Sequence, residues 1–220
     1  MIEYEIERRK IKNVYICIKN GKIVVKAPIR ISKSKIDELV TQKREWIERK
    51  IKNKEEDRLV DIKNKKYVYI LGNKVNIKFS YIEKRSINVK LDRNSCLVYL
   101  PKETIFNDEI YSIINKKIDK ELKEFSKYYI MLAMEKYIKL TSLQPKEIVI
   151  RKFKSIWGNC SSKKVIKINQ NIIHYGMDQI EYVCLHELTH LKYMNHQKEF
   201  WNYIKKYMPN YKNISDVLKQ

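Results

Sequence analysis

Ile180-Glu181-Tyr182-Val183-Cys184-Leu185-His186-Glu187-Leu188-Thr189-His190-Leu191 is the stretch on which the reading of this chain turns. It holds neither Pro nor Gly and its apolar residues recur at helical spacing, so it reads as helix. Residues four apart share a helix face, which puts the imidazoles of His186 and His190 side by side. Two imidazoles on one face can share one metal ion, and Glu187, one position on, reaches a metal-bound water without being a ligand itself. Zinc is the metal that this H-E-x-x-H pattern predicts, one ion per chain: it brings the pKa of its water towards ~7, with Glu187 as general base. In a chain with 4 His among 220 residues, such a pattern is expected by chance only about 0.006 times.

A catalytic zinc takes three protein ligands and keeps one position open. His196 stands at the offset of the third histidine in H-E-x-x-H-x-x-G-x-x-H sequences. Tyr193 replaces the Gly of that pattern, so the chain reversal is expected at Asn195, which tolerates the left-handed conformation. Glu199 is the alternative third ligand. His174, the fourth histidine, follows an apolar pair and reads as a packed or surface residue.

Outward from the motif, the pattern is α+β. Residues 2–26 alternate, with Ile2, Tyr4 and Ile6 on one strand face, Val14, Ile16 and Ile18 on another, and Asn20-Gly21 as a hairpin signal before Ile23-Val24-Val25. From Ser32, an N-cap, Ile36, Leu39, Val40, Ile47 and Ile51 mark an amphipathic helix ending near Arg58. Strands follow at 67–71, 75–81, 87–91 and 96–100, with Gly72-Asn73 and Asp92-Arg93-Asn94 between them. Residues 105–140 contain no Pro or Gly, and Ile110, Ile113, Ile114, Ile118, Leu122, Phe125, Tyr129, Leu132 and Leu140 predict a helical stripe. Beyond Pro145 come a strand at 147–153, a turn-like Trp157-Gly158-Asn159-Cys160-Ser161-Ser162, a strand at 165–169 and a helix from near Asp178. The expected division is a β-rich N-terminal region with one helix, 1–103, followed by a hydrolase domain, 104–220.

The chain carries 47 Lys and Arg against 26 Asp and Glu, a net charge of +21, which attracts nucleic acid, nucleotides or anionic membrane at low salt. The excess is mostly Lys and travels with many Ile, Asn and Tyr, so it is read as compositional, and nucleic-acid contact as non-specific. The four cysteines have no C-x-x-C pairing, which points to no disulfide framework. The N-terminus lacks a basic and apolar leader and no run is long enough to span a membrane, so a cytoplasmic protein is expected. Nothing in the sequence fixes the oligomeric state.

The segments W-G-N-C-S-S from Trp157, I-K-I-N ending at Asn169, the motif helix from Ile180, and N-H-Q-K-E-F-W from Asn195 together resemble the YgjP-like metallopeptidase family. Weaker similarity includes Ala27-Pro28, Trp46-Ile47, Leu71-Gly72 and Met208-Pro209-Asn210-Tyr211. The resemblance implies a zincin-like mini-domain, related to the SprT and WLM proteins, after a β-rich region, with zinc on His186, His190 and His196 and Glu187 as base. Asn159 stands where relatives are expected to have Ser.

Around this centre, Trp157 and Asn159 are expected to meet substrate, while Arg151 and Lys154 are positioned to neutralise phosphates or an acidic peptide. Cys160 reads as an inert thiol, and Phe200 and Trp201 as packing beneath the site. Three functions fit: a metallopeptidase; a nucleoside-triphosphate pyrophosphatase using the same metal, a description some relatives carry; and a nucleic-acid-associated SprT-like protease, docked on DNA or RNA and acting on something bound there. The pyrophosphatase needs a compact basic pocket beside the metal, and the peptidase an open groove with a free strand edge.

Overall fold

In a computed structural model the described residues are 3–19, 22–45, 47–48, 59–64 and 66–219. The chain divides into two compact units, Met1–Arg58 and Leu59–Gln220. In the first, β1 (Glu5–Arg9), β2 (Tyr15–Lys19) and β3 (Lys22–Pro28) form a sheet in the order β1-β3-β2. Alternation on β3 turns Ile23, Val25 and Ala27 onto one face, where they pack with Ile36, Val40 and Ile47. Helix α1 (Lys33–Gln42) is capped by Ser32, whose hydroxyl accepts the Lys35 N–H at 3.3 Å. It is interrupted at Lys43, and helical residues resume at 44–45 and 47–48. Ile2, the Asn20-Gly21 turn, Trp46, Ile51 and the expected helix end at Arg58 lie outside the described residues.

The second unit opens with a five-stranded sheet, β4 (Val60–Asp61), β5 (Tyr67–Ile70), β6 (Asn73–Ile82), β7 (Asn88–Leu91) and β8 (Cys96–Pro101), in the order β4-β5-β6-β8-β7. Leu71 and Gly72, between β5 and β6, both have positive φ, 50° and 80°, which matches the twist of a two-residue hairpin. Leu71 is held in that strained conformation because its N–H donates to the Ile173 carbonyl at 2.8 Å.

Helix α2 (Asp108–Thr141) follows, capped by Asn107 and stopped by Ser142 in the left-handed region. Its buried stripe is Ile114, Ile118, Leu122, Ser126, Tyr129, Ile130, Ala133, Met134 and Tyr137. Leu132 and Leu140, expected on that stripe, are 45% and 53% exposed. A second sheet, β9 (Glu147–Arg151), β10 (Gly158–Cys160) and β11 (Val165–Asn169), has the order β10-β11-β9. A 3-10 turn (Gln170–His174) leads to α3 (Met177–Thr189), α4 (Lys198–Tyr207), α5 (Tyr211–Asp216) and a final 3-10 turn, Val217–Lys219. No helix among the described residues is long and apolar enough to cross a membrane.

This is a mixed α+β chain. One core joins Val68, Ile70, Val98 and Leu100 of the first sheet to Ile118 and Met134 of α2, Ile166 and Ile168 of β11, and Leu185 and Leu188 of α3. The boundary read at residue 103 therefore falls inside the second unit: Pro101 ends a strand, while the apolar face of that sheet is covered by α2. The hydroxyl of Ser126 ties α2 to the 3-10 turn by donating to the Gln170 carbonyl at 2.8 Å.

Because Ile118 is 1% exposed in this shared core, truncation to Ala is expected to cost about 2–5 kcal/mol, whereas Leu132→Ala should stay within about 0.5 kcal/mol. Urea unfolding of both variants reads the contrast.

Candidate metal centre

Helix α3 is buried around most of its circumference, with Ile180, Val183, Cys184, Leu185 and Leu188 all in the core, so its register is set by packing. From α2, the Lys136 ammonium and the Tyr137 hydroxyl both donate to the Glu181 carboxylate, at 2.6 and 3.0 Å. In this register His186 and His190 project together from the end of the helix, their ring centroids 5.0 Å apart. The helix then unwinds: the N–H groups of Lys192 and Tyr193 both bond back to the Thr189 carbonyl. Asn195 is not the expected reversal point, since it is absent from the positive-φ positions. These short-range bonds turn the chain instead and bring His196 back.

One ring nitrogen from each of His186, His190 and His196 lies within 4.8 Å of the others, and this is the one such cluster of His, Cys, Asp and Glu among the described residues. His186 Nε2 and His196 Nε2 face each other at 3.0 Å. His190 Nδ1 sits 3.1 Å from the Tyr193 carbonyl; a carbonyl only accepts, so the proton is on Nδ1 and Nε2 carries the lone pair. Burial, then the neighbouring His190 and His196, bring the His186 imidazole down to about 3, and burial also lowers His190. Neutral imidazoles with converging nitrogens are the donor set that zinc takes in catalytic sites. His186 Nδ1 is buried and has no hydrogen-bond partner among the described residues. Glu199 lies exposed in the first turn of α4, outside the cluster.

Phe200, fully buried, forms an apolar floor, its ring centroid 4.6–4.9 Å from all three imidazoles. Trp201 donates its indole N–H to the His196 carbonyl at 3.0 Å and stacks on that ring. The carboxyl of Glu187 is 5% exposed and its Oε2 has no partner among the described residues; burial pushes its pKa up from 4.5 to about 8. A cation beside it would favour the carboxylate again.

A cleft of about 300 Å³ opens beside His186 and Glu187, lined by Ile156, Trp157, Gly158, Tyr182, Val183, Ser215 and Leu218. None of its described lining residues is Lys or Arg. Trp157 lines it and is also an anchor, with its indole N–H 3.2 Å from the Leu218 carbonyl and its ring edge-on to Tyr175. Asn159 is exposed on β10. The segment read as a turn is thus partly a strand, paired antiparallel with β11. Arg151 ends β9 with its guanidinium over the Phe153 ring, and Lys154 is exposed in the following loop; neither lines the cleft. Burial raises the Cys160 thiol, which leaves it unreactive. His174 is buried, with Nδ1 2.7 Å from the Tyr69 carbonyl, and serves as a strut.

Sequence reasoning missed Tyr182, whose place beside His186 is legible from helical spacing, and Ser215 and Leu218, which tertiary packing alone delivers.

No curated protein matches the chain. Among solved structures, it is similar to the metallopeptidase zymogen abylysin of Pyrococcus abyssi, with 23% identity over 40% of this chain and 90% of that one and a TM-score of 0.38. The metallopeptidase zymogen jannalysin of Methanocaldococcus jannaschii gives 22% identity over 41% and 94%, also with a TM-score of 0.38. The family model described as YgjP-like, metallopeptidase domain, matches residues 12–220, and the chain belongs to that family.

Proposed function

We propose that this chain is a zinc-dependent peptidase in which His186, His190 and His196 hold the metal and Glu187 is the general base, in a zincin-like arrangement around α3. The observation that carries it is the convergence of three imidazole nitrogens next to one buried carboxyl. When bound, the metal supplies a water of lowered pKa and polarises a carbonyl oxygen. Glu187 takes the proton of the attacking water and delivers it to the leaving amine nitrogen. Phe200 and the apolar cleft exclude bulk water, which strengthens electrostatic interactions there.

Strand β10 pairs on one side only, with β11, so its other edge offers backbone N–H and C=O groups to an extended peptide. A peptide on that edge runs past Gly158 and therefore past the Glu187 carboxyl. Phosphoanhydride hydrolysis needs cations at the transferring phosphoryl group, and the cleft residues provide none. The open edge and the uncharged cleft favour a peptide over a nucleotide.

Zinc-loaded protein is expected to cleave members of a peptide library, chelated protein to cleave none, and neither to hydrolyse nucleoside triphosphates. Pyrophosphate release from a nucleoside triphosphate with no peptide cleavage would overturn this reading. Glu187→Gln should keep fold and metal while kcat falls about 10²–10⁴-fold, because an amide cannot accept the proton.

Metal-free protein gives a separate test. The folded state holds the Glu187 proton more tightly than the unfolded chain, up to about 8 instead of 4.5. The stability this contributes is complete below the unfolded value and is lost as pH rises through the folded one. The Tm of the wild type should therefore fall relative to Glu187→Gln as pH rises from roughly 5 to 9. The histidines are common to both proteins, so their titration is expected to cancel to first order; parallel Tm curves would contradict the buried carboxyl.

A further inference from the structure

Gly158 stands in β10 opposite Ile168. Its φ is not positive, so the backbone there accepts any L residue. What leaves no room for a side chain is Glu187. A Cβ built on Gly158 would lie 2.7 Å from Glu187 Cγ and Oε1 and 2.9 Å from Cδ, closer than the 3.0 Å below which real Cβ contacts do not occur.

One partner has to yield, and the strand is pinned. The Trp157 carbonyl accepts the Asn169 N–H at 2.7 Å. The Asn169 side-chain amide donates to the carbonyls of Ile156 and Phe153, at 2.9 and 3.1 Å, and Asn169 is itself 4% exposed. The Trp157 indole is tied to the Leu218 carbonyl. Glu187, by contrast, is a side chain with rotatable bonds, and its Oε2 has no hydrogen-bond partner among the described residues to hold it.

We propose that Gly158 is a positioning residue for Glu187: the bare point on β10 is the slot that seats the carboxyl between the strand and α3, facing the cleft that His186 also lines. This rests on the reading of Glu187 as the base. It also gives a reason for glycine in the W-G-N-C-S-S segment other than the turn suggested by sequence. Any side chain at 158 moves the carboxyl from 2.7 Å to the 3.4 Å or more of ordinary contact, and a misplacement on this scale costs about 10²-fold in rate.

The test is Gly158→Ala, read by crystallography, zinc content and steady-state kinetics. The expected crystal structure keeps the β10–β11 pairing and shows the Glu187 carboxyl displaced. With it, zinc content stays at the wild-type value, kcat falls about 100-fold and KM changes little. A Gly158→Ala protein with wild-type kcat, or a structure in which β10 shifts and the carboxyl stays, would overturn the proposal. If the wild type cleaves no peptide, the peptidase reading fails, and the structure of the variant still decides whether Gly158 seats the carboxyl. If Gly158→Ala does not fold, the double variant Gly158→Ala with Glu187→Ala should fold as well as Glu187→Ala alone, since the obstructing side chain is gone. Failure of that rescue also overturns it.

Discussion

Three imidazole nitrogens converge within 4.8 Å at and beyond the end of α3, and two of them, His186 Nε2 and His196 Nε2, stand 3.0 Å apart, where one must carry a proton for the other to accept it. The rest of the second unit can be read as the structure needed to hold them there. Core packing fixes the rotation of α3, the Tyr193 carbonyl sets the tautomer of His190, and Trp201 grips the His196 backbone while Phe200 supports all three rings. On the proposed reading a cation would replace the proton between His186 and His196 and draw the three nitrogens together, so metal affinity and local order would be coupled.

The same coupling governs Glu187. Burial alone makes its charged form unfavourable, which is wrong for a base near neutral pH, and the charge of a metal ion offsets that. On the proposed reading the three imidazoles and Glu187 would act as one electrostatic unit, in an apolar surround where Coulomb interactions are strong. The long helix α2 contributes from behind, where Lys136 and Tyr137 hold Glu181 on the face of α3 away from the cleft.

The parts of this arrangement that were legible in the sequence are those fixed by local geometry. His186, Glu187 and His190 share one helix, and the short connection to His196 leaves it few places to go. Four strands of the five-stranded sheet were legible from alternation, and α2 from its helical stripe; the two-residue β4, Val60–Asp61, is too short to show a period. Strand β10 was not, because Gly158, Asn159 and Cys160 carry no β-branched or aromatic signal and become a strand only by pairing with β11. Asn195 looked suited to a left-handed turn, but the chain after Thr189 turns without one, the Lys192 and Tyr193 N–H groups bonding to its carbonyl in 3-10 and α fashion. Pro101 marked a real break in the chain without marking a break in the core. Ser215 and Leu218 reach the cleft from the C-terminal end through tertiary packing, which no local pattern encodes.

The central claim is that three histidines, and no carboxylate, hold one metal ion. Elemental analysis of zinc per chain, after purification in chelator-free buffer, addresses it most directly when wild type, His196→Ala and Glu199→Ala are compared. One zinc per chain is expected for the wild type and for Glu199→Ala, with a sharp loss for His196→Ala, since two ligands on one helix bind far more weakly than three. Full zinc in His196→Ala, or its loss in Glu199→Ala, would contradict the assignment of the third ligand and the geometry built on it.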